Sequence, residues 1–442
     1  MSNVKIDFNN EIGKMKIMHA VNNGPSVSAS DQTRGNQNAY QVCRIPYART
    51  HDASFYSVYG GNHTVDVNFI FTDFEADVND PKSYDFACTD KYMEQIITYG
   101  TKPYFRLGSR IEHEVKKYNT YPPRNFQKWA EICEHIIAHY TEGWANGFKY
   151  DMKYWEIWAE PDLDLNEEYN KRLWQGTEEE FYELFITAAK HLKGRFPNLK
   201  IGGPASAGDE AWMARFLPKI KKADTPLDFF SYHWYWTQPR DMTDKCTRVR
   251  KLLDKNGYEK TEAHLNEWNY VRGWDKDFVY SIKQIIGAKG AAFNMACMSA
   301  AQNCTDVDML MYYDARPSEW NGLFDFYTLE PIKGYYSFYT FANLYEMGSQ
   351  VKAESNDESV YVLAARGEKR HGAVITYYTE NDSDLAKDVE LELEGVDPKS
   401  LKLYLVDENN TYTENNRYQI NGNKIKMHLL RNSFVYMEDI MP

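Results

Sequence analysis

Residues Tyr154 to Asp162 read YWEIWAEPD, an apolar, aromatic run that closes on a glutamate, a proline and an aspartate. Tyr154 to Trp158 has the composition of a buried strand, and Pro161, which lacks a backbone N–H, cannot continue a hydrogen-bonded ladder. The chain therefore leaves the sheet at Pro161, with Glu160 at the exit. Glu156, inside the run, is read as a structural carboxylate paired within the fold.

Working outward, the same alternation of short apolar run and longer helical segment repeats from Lys16 to about Gly348. The strand candidates are Lys16–Val21, Cys43–Arg49, Pro103–Leu107, Tyr154–Trp158, Lys200–Gly203, Phe229–Trp236, Ala263–Trp268 and Val307–Tyr313. Between them, Phe126, Trp129, Ile132, Cys133, Ile136, Ile137 and Tyr140 recur at helical steps, and Ser281 to Gln302 reads as one Ala-rich helix. This pattern predicts an α/β fold, a closed (β/α)8 TIM barrel. After Gly348 the period changes to alternating strands such as Val360–Ala365, Ala373–Tyr378 and Val389–Glu394, which predict an accessory antiparallel β-sandwich domain. Val4–Phe8 alternates in the same way. The expected domains are thus a barrel over 13–348 and a sandwich built from 1–12 plus 349–442.

The 442 residues carry 64 acidic and 51 basic side chains, a net charge of -13 that repels nucleic acid and anionic membrane. An uncharged polar partner fits better, and 34 Tyr and 11 Trp suit a surface that stacks on sugar rings. Met1 to Lys16 holds no apolar stretch of signal-peptide type, and the six cysteines show neither zinc spacing nor disulfide density, so a reducing, cytoplasmic setting with free thiols is expected. A homo-oligomer is left open. His135 and His139 have HxxxH spacing but no following Glu, and are read as surface residues; no metal and no cofactor is expected.

In a parallel barrel the site lies at the carboxyl ends of the strands. Glu267, in Ala263-His264-Leu265-Asn266-Glu267-Trp268-Asn269, ends the seventh strand as Glu160 ends the fourth. Two facing carboxyls can cleave a glycosidic bond, one protonating the leaving oxygen and the other attacking or stabilising the anomeric carbon. His233 and Tyr235 share one face of the sixth strand and Trp234 and Trp236 the other, so the polar pair is placed in the site. His51 and Asp52 end the second strand and are expected to bind sugar hydroxyls. Tyr312, Tyr313, Trp320 and Phe324 follow the eighth strand, either as a wall for the leaving group or as packing. Arg106, at the end of the third strand, either grips a uronic acid carboxylate or neutralises local carboxylates, and the second is favoured by so acidic a chain.

Trp155–Asp162 (WEIWAEPD) resembles the acid/base segment of clan A glycoside hydrolases, most closely family 39, where WEIWNEPD is usual. The similarity extends to Val21–Pro25 (VNNGP), Arg49–Asp52 (RTHD), Ser231–Tyr235 (SYHWY) and Asn266–Asn269 (NEWN). The resemblance implies a retaining, exo-acting hydrolase of a small carbohydrate substrate, an oligosaccharide or aryl glycoside, with Glu160 as acid/base and Glu267 as nucleophile. It also implies a β-xyloside as first choice, with β-glucosidase, β-galactosidase, arabinosidase and uronic-acid-specific activities open. Trp158 or another aromatic is expected to supply an apolar wall for Glu160, Tyr235 and Arg49 to keep Glu267 ionised, and Asn22 of VNNGP to join the substrate-binding set with Trp320 and Tyr313. Ala159 departs from the pattern, since family members carry there an Asn that hydrogen-bonds the sugar 2-hydroxyl. Another side chain makes that contact, the substrate is unusual at C2, or the position has been altered. A catalytically impaired carbohydrate-binding protein is the alternative this departure raises.

Overall fold

Eight parallel strands close on themselves: Ile17–Asn22, Tyr47–Arg49, Lys102–Leu107, Tyr154–Ile157, Lys200–Ser206, Phe229–Trp236, Glu262–Tyr270 and Met309–Tyr312. They are called strands one to eight of the barrel. The computed structural model describes residues 1–26, 35–51, 54–56, 60–318 and 320–440. The expected barrel is present, and its strands fall where the apolar runs placed them, with two instructive differences.

Strand two is shorter than Cys43–Arg49. Cys43 ends a helix, Gln37–Cys43, and Arg44 closes it in a left-handed conformation (φ 50°), so the sheet begins only after Pro46. The expected helix over Ser281 to Gln302 is two helices, Phe278–Ile285 and Ala288–Asn303. Gly287 caps the second, and Gly290 lies so close to the first that a Cβ would sit 2.2 Å from the Ile285 carbonyl oxygen. The close crossing needs glycine, and an apolar run alone does not reveal it.

The helix Phe126–Thr141 buries the predicted stripe, from Trp129 to Tyr140, against the barrel. His139 is also buried there, contrary to the surface reading. Its ring stacks on Phe86 with 3.6 Å between centroids, and Nε2 meets Asp90 at 3.0 Å. The pairing with Asp90 is what lets a histidine join an apolar face.

A ten-stranded sheet forms the second layer. The N-terminal strand, Ser2–Lys14, enters it beside Ser349–Ser355 (antiparallel) and Lys387–Glu394, with which it makes the one parallel pair in this sheet among the described residues. Val4, Ile6 and Phe8 point into its core with Val389, Leu391 and Leu393. Ser433–Ile440 escaped the reading of alternation because it is central, between Arg370–Tyr377 and Lys402–Val406, and Phe434 through Met437 are buried on both faces.

The described cysteines are all free, and burial pushes the Cys246 thiol up to about 12. No helix among the described residues is long and apolar enough to cross a membrane.

Candidate active site

At the carboxyl ends of strands four, six and seven, Glu160, His233 and Glu267 bring one side-chain oxygen or nitrogen each within 4.8 Å of the others. Glu160 and Glu267 open onto a cavity of about 640 Å³ lined also, among the described residues, by His51, Tyr235, Tyr313 and Trp320. Six of the sequence-predicted site residues are thus on its surface, and His233 and Arg49 stand directly behind them against the two glutamates. Asp52 lies outside the described residues.

Strand seven delivers Glu267 into a set of fixed donors. Arg49 Nη1 donates to its Oε1 at 2.7 Å, and the Tyr235 hydroxyl donates to its Oε2 at 2.7 Å. His51 Nε2 stands 3.8 Å from Oε1. Arg49 is itself fully buried and spends its other contacts on Glu156 (Nε to Oε2, 2.6 Å) and Asn22 (Nη1 to Oδ1, 2.9 Å). Burial opposes its charge, but the Glu156 and Glu267 carboxylates outweigh burial and hold the guanidinium firmly protonated. Glu156 also accepts from Ser231 and Asn266, both at 2.6 Å, which makes it the internal structural carboxylate expected from its place in the strand. Asn22 does not reach the cavity. Its amide donates to the Asn266 carbonyl, so it braces Arg49 and strand seven from beneath.

For Glu267, burial raises the carboxyl above its ordinary range, with Glu160 adding to the shift and His233, Arg49 and Tyr235 working against it. His233 stands between them, Nδ1 at 2.7 Å from Glu160 Oε1 and 3.4 Å from Glu267 Oε2. Burial holds this imidazole down at about 4, so the ring is neutral near pH 7. Nδ1 faces two acceptors while Nε2 has no partner, which favours the tautomer with the proton on Nδ1.

Strand four ends differently. Trp158 (φ 70°) and Glu160 (φ 43°) both adopt left-handed backbone, a costly conformation for residues with side chains. The turn at Trp158 breaks the in-out alternation. Its indole, expected in the cleft, is turned outward between Trp129 and Trp174, with Nε1 donating to the Leu173 carbonyl. Trp158 is therefore a packing residue behind the site, and Gly108 has no side chain because a Cβ there would lie 3.2 Å from the Trp158 Cα. Ala159 is fully buried and offers the cavity no polar atom. Asp162 closes the segment by accepting from Ser206 Oγ (2.6 Å), Ala207 N (2.7 Å) and Asp209 N (3.1 Å), which shapes the loop after strand five. Burial lifts its carboxyl to about 6 in spite of those donors.

Arg106 donates to Asp66 Oδ1 and to the His51 carbonyl, both at 2.6 Å, so it is committed to a local carboxylate and is not aimed at a substrate. Of the late aromatics, Tyr313 and Trp320 reach the cavity, whereas Tyr312 packs on Phe338 and Phe324 on Tyr40. The cavity wall also holds Trp274 and Phe278, which the sequence reading passed over. A tryptophan among Gly273, Asp275 and Lys276 has no apolar pattern around it, and that isolation was the available signal. Glu160, His233 and Glu267 are spaced as metal ligands can be. With Arg49 and Tyr235 already on both Glu267 oxygens, the same atoms are arranged for proton exchange.

Comparison with known proteins adds to this geometry. A β-xylosidase from Geobacillus stearothermophilus is 23% identical over 230 residues, covering 45% of this chain and 44% of the relative. A β-xylosidase from Caldicellulosiruptor saccharolyticus is 29% identical over 211 residues, covering 42% and 41%. The matched stretch thus spans less than half of either xylosidase. Among solved structures, a glucosidase from Croceicoccus marinus superposes with a TM-score of 0.81 at 20% identity, covering 100% of this chain and 99% of that one. A monomeric β-xylosidase from Caulobacter crescentus gives 0.74 at 15% identity with both chains fully covered. These two show the shared fold. The sequence pattern of the glycosyl hydrolases family 39 matches residues 3–427, barrel and curled sheet together, and the chain belongs to that family.

Proposed function

We propose that this chain is a retaining, exo-acting glycoside hydrolase that removes a terminal sugar, with a β-xyloside as its first substrate. The observation that carries the reading is the approach of Glu160 and Glu267, with oxygens within 4.8 Å of each other across His233. Retention uses carboxyls about 5–5.5 Å apart, too close for an interposed water, whereas inversion needs about 6.5–9.5 Å. Glu160 protonates the glycosidic oxygen, and Glu267 attacks the anomeric carbon to give a glycosyl-enzyme. Water, deprotonated by Glu160, then releases the sugar.

Arg49 and Tyr235 orient the Glu267 carboxylate and leave its attack direction defined. The neutral His233 holds the Glu160 carboxyl while its proton moves to the leaving group and returns. A xyloside is put first because both curated relatives carry that name. The commitment of Arg106 to Asp66 weighs against a uronic acid.

The test is a product-resolved screen of nitrophenyl glycosides (xyloside, glucoside, galactoside, arabinoside, glucuronide) with Glu160→Ala and Glu267→Ala as controls. Turnover of the xyloside with retained configuration supports the proposal. Preference for another sugar corrects the specificity, and sugar binding without any turnover overturns the enzyme reading.

A further inference from the structure

Trp274 forms part of the cavity wall yet is 63% exposed. It stands in the loop between strand seven and the helix Phe278–Ile285, with its ring edge-on to Tyr235 at 5.3 Å and 5.3 Å from Trp320. The Trp274 ring meets Tyr235, Phe278 and Trp320, but the loop of glycine and charged residues that carries it gets little restraint of its backbone from packing. The restraint comes from the other layer of the molecule.

Glu380, just after the sheet strand Arg370–Tyr377, reaches the barrel and meets the near flank of this loop. Its carboxylate accepts from the Tyr270 hydroxyl at 2.9 Å on each oxygen and from Arg272 Nε at 2.9 Å. Lys289 Nζ stands 3.0 Å away, and the Tyr378 hydroxyl 3.3 Å. On the far flank, the Arg272 guanidinium lies over the Tyr280 ring at 3.8 Å, and the Tyr280 hydroxyl donates to Asp382 at 2.9 Å. Arg272 precedes Trp274 and Tyr280 follows it, so one short segment of the sheet holds the loop at both ends. Tyr378 also donates to the carbonyl of Thr237, the residue after strand six. The hub is only 19% exposed, and removing its charge would leave two cations facing each other with Asp382 as the remaining carboxylate.

We propose that Glu380 is a positioning residue of the curled sheet that holds the Arg272–Phe278 loop, and through it Trp274, in place as a stacking wall for the substrate. The inference rests on the glycosidase reading for its substrate, but not for the loop itself. Trp274 would take the apolar face of a pyranose or aryl group. Contacts of this kind are made equally in ground and transition states, so their loss raises KM and spares kcat.

Two measurements on the full chain test this. In limited trypsin digestion, Glu380→Gln is expected to speed cleavage after Lys276 about tenfold, with Arg272 also freed for cleavage, while cleavage outside the loop keeps its rate. In kinetics on the nitrophenyl glycoside that the wild type turns over best, Glu380→Gln is expected to raise KM about tenfold with kcat within about twofold, and to add nothing on a Trp274→Ala background. Equal cleavage after Lys276 in both proteins overturns the proposal. So does a full additional KM effect on the Trp274→Ala background, or a fall in kcat with KM unchanged. If the wild type turns over no glycoside, the glycosidase reading fails while the trypsin result still decides whether Glu380 holds the loop. Should Glu380→Gln not accumulate as folded protein, Arg272→Lys, which keeps the cation but loses the planar fork, is read in the same way.

Discussion

The ends of strand four and strand seven hold the same kind of side chain by opposite means. Glu267 sits in a cradle of donors, Arg49 and Tyr235 on its two oxygens, and Arg49 is fixed in turn by Glu156 and Asn22. Glu160 meets the His233 ring at 2.7 Å and is placed by its backbone: left-handed turns at Trp158 and Glu160, and an N–H donated to the Ala205 carbonyl at 2.8 Å. A nucleophile must stay ionised and aimed, which fixed donors achieve. An acid must gain and lose its proton each cycle, which the neutral His233 beside it permits.

The comparison breaks most visibly at the carboxyls themselves. Glu267→Ala is expected to lower kcat by on the order of 10⁴-fold or more on every substrate, since the covalent route is gone. Glu160→Ala is expected to cost about 10²–10⁴-fold in kcat/KM on poor leaving groups and little in kcat/KM on a dinitrophenyl glycoside, whose departure needs no proton, while kcat there falls because the attacking water has lost its base. A leaving-group series on both variants measures this, and an unchanged rate for Glu160→Ala on poor leaving groups contradicts its role. Tyr235→Phe removes one donor to a charged oxygen, and at about 1.5–3 kcal/mol for such a bond the expected loss in kcat is about 10- to 100-fold. Equal activity would mean that Arg49 alone suffices.

The pH dependence sharpens the contrast. In the folded chain His233 titrates near 4, below its ordinary value of about 6.5, so the unfolded chain takes up the proton first. The stability tied to this group is complete above about 6.5 and is lost as pH falls towards 4. Tm measured across that window should fall less steeply in His233→Asn than in the wild type. A parallel decline would show that other groups govern acid unfolding. Smallest is Ala159→Asn. A several-fold gain in kcat/KM on a substrate with an equatorial 2-hydroxyl is expected if the site lacks only a donor there. No gain would show that the wall has been rebuilt around Ala159.

How much of this was legible in the sequence follows from what each feature depends on. The barrel and both glutamates were readable because an apolar run that stops at a polar residue encodes a strand end locally. Glu156 was readable as structural for the same reason, since it sits two residues inside such a run. Trp158 was misplaced because strict alternation puts residues 156, 158 and 160 on one face, and a left-handed turn cancels that rule without a glycine to announce it. Ser433–Ile440 was missed because a strand buried on both faces has no alternation to read. Asn22 and Arg49 were read as substrate-binding and lie beneath the cavity on other side chains, because whether a buried polar side chain meets substrate or another side chain depends on partners from distant strands. Trp274 and Glu380 are the extreme case. They are 106 residues apart in the chain, and only the packing of the sheet on the barrel relates them.

The most direct test of the central claim is to trap the intermediate. The wild type, incubated with a 2-deoxy-2-fluoro glycoside bearing a dinitrophenyl leaving group, is digested and its peptides are mapped by mass spectrometry. The account predicts one glycosyl adduct on the peptide that contains Glu267, absent in Glu267→Ala. An adduct on Glu160, or turnover of the parent glycoside with inverted configuration and no adduct, would contradict it.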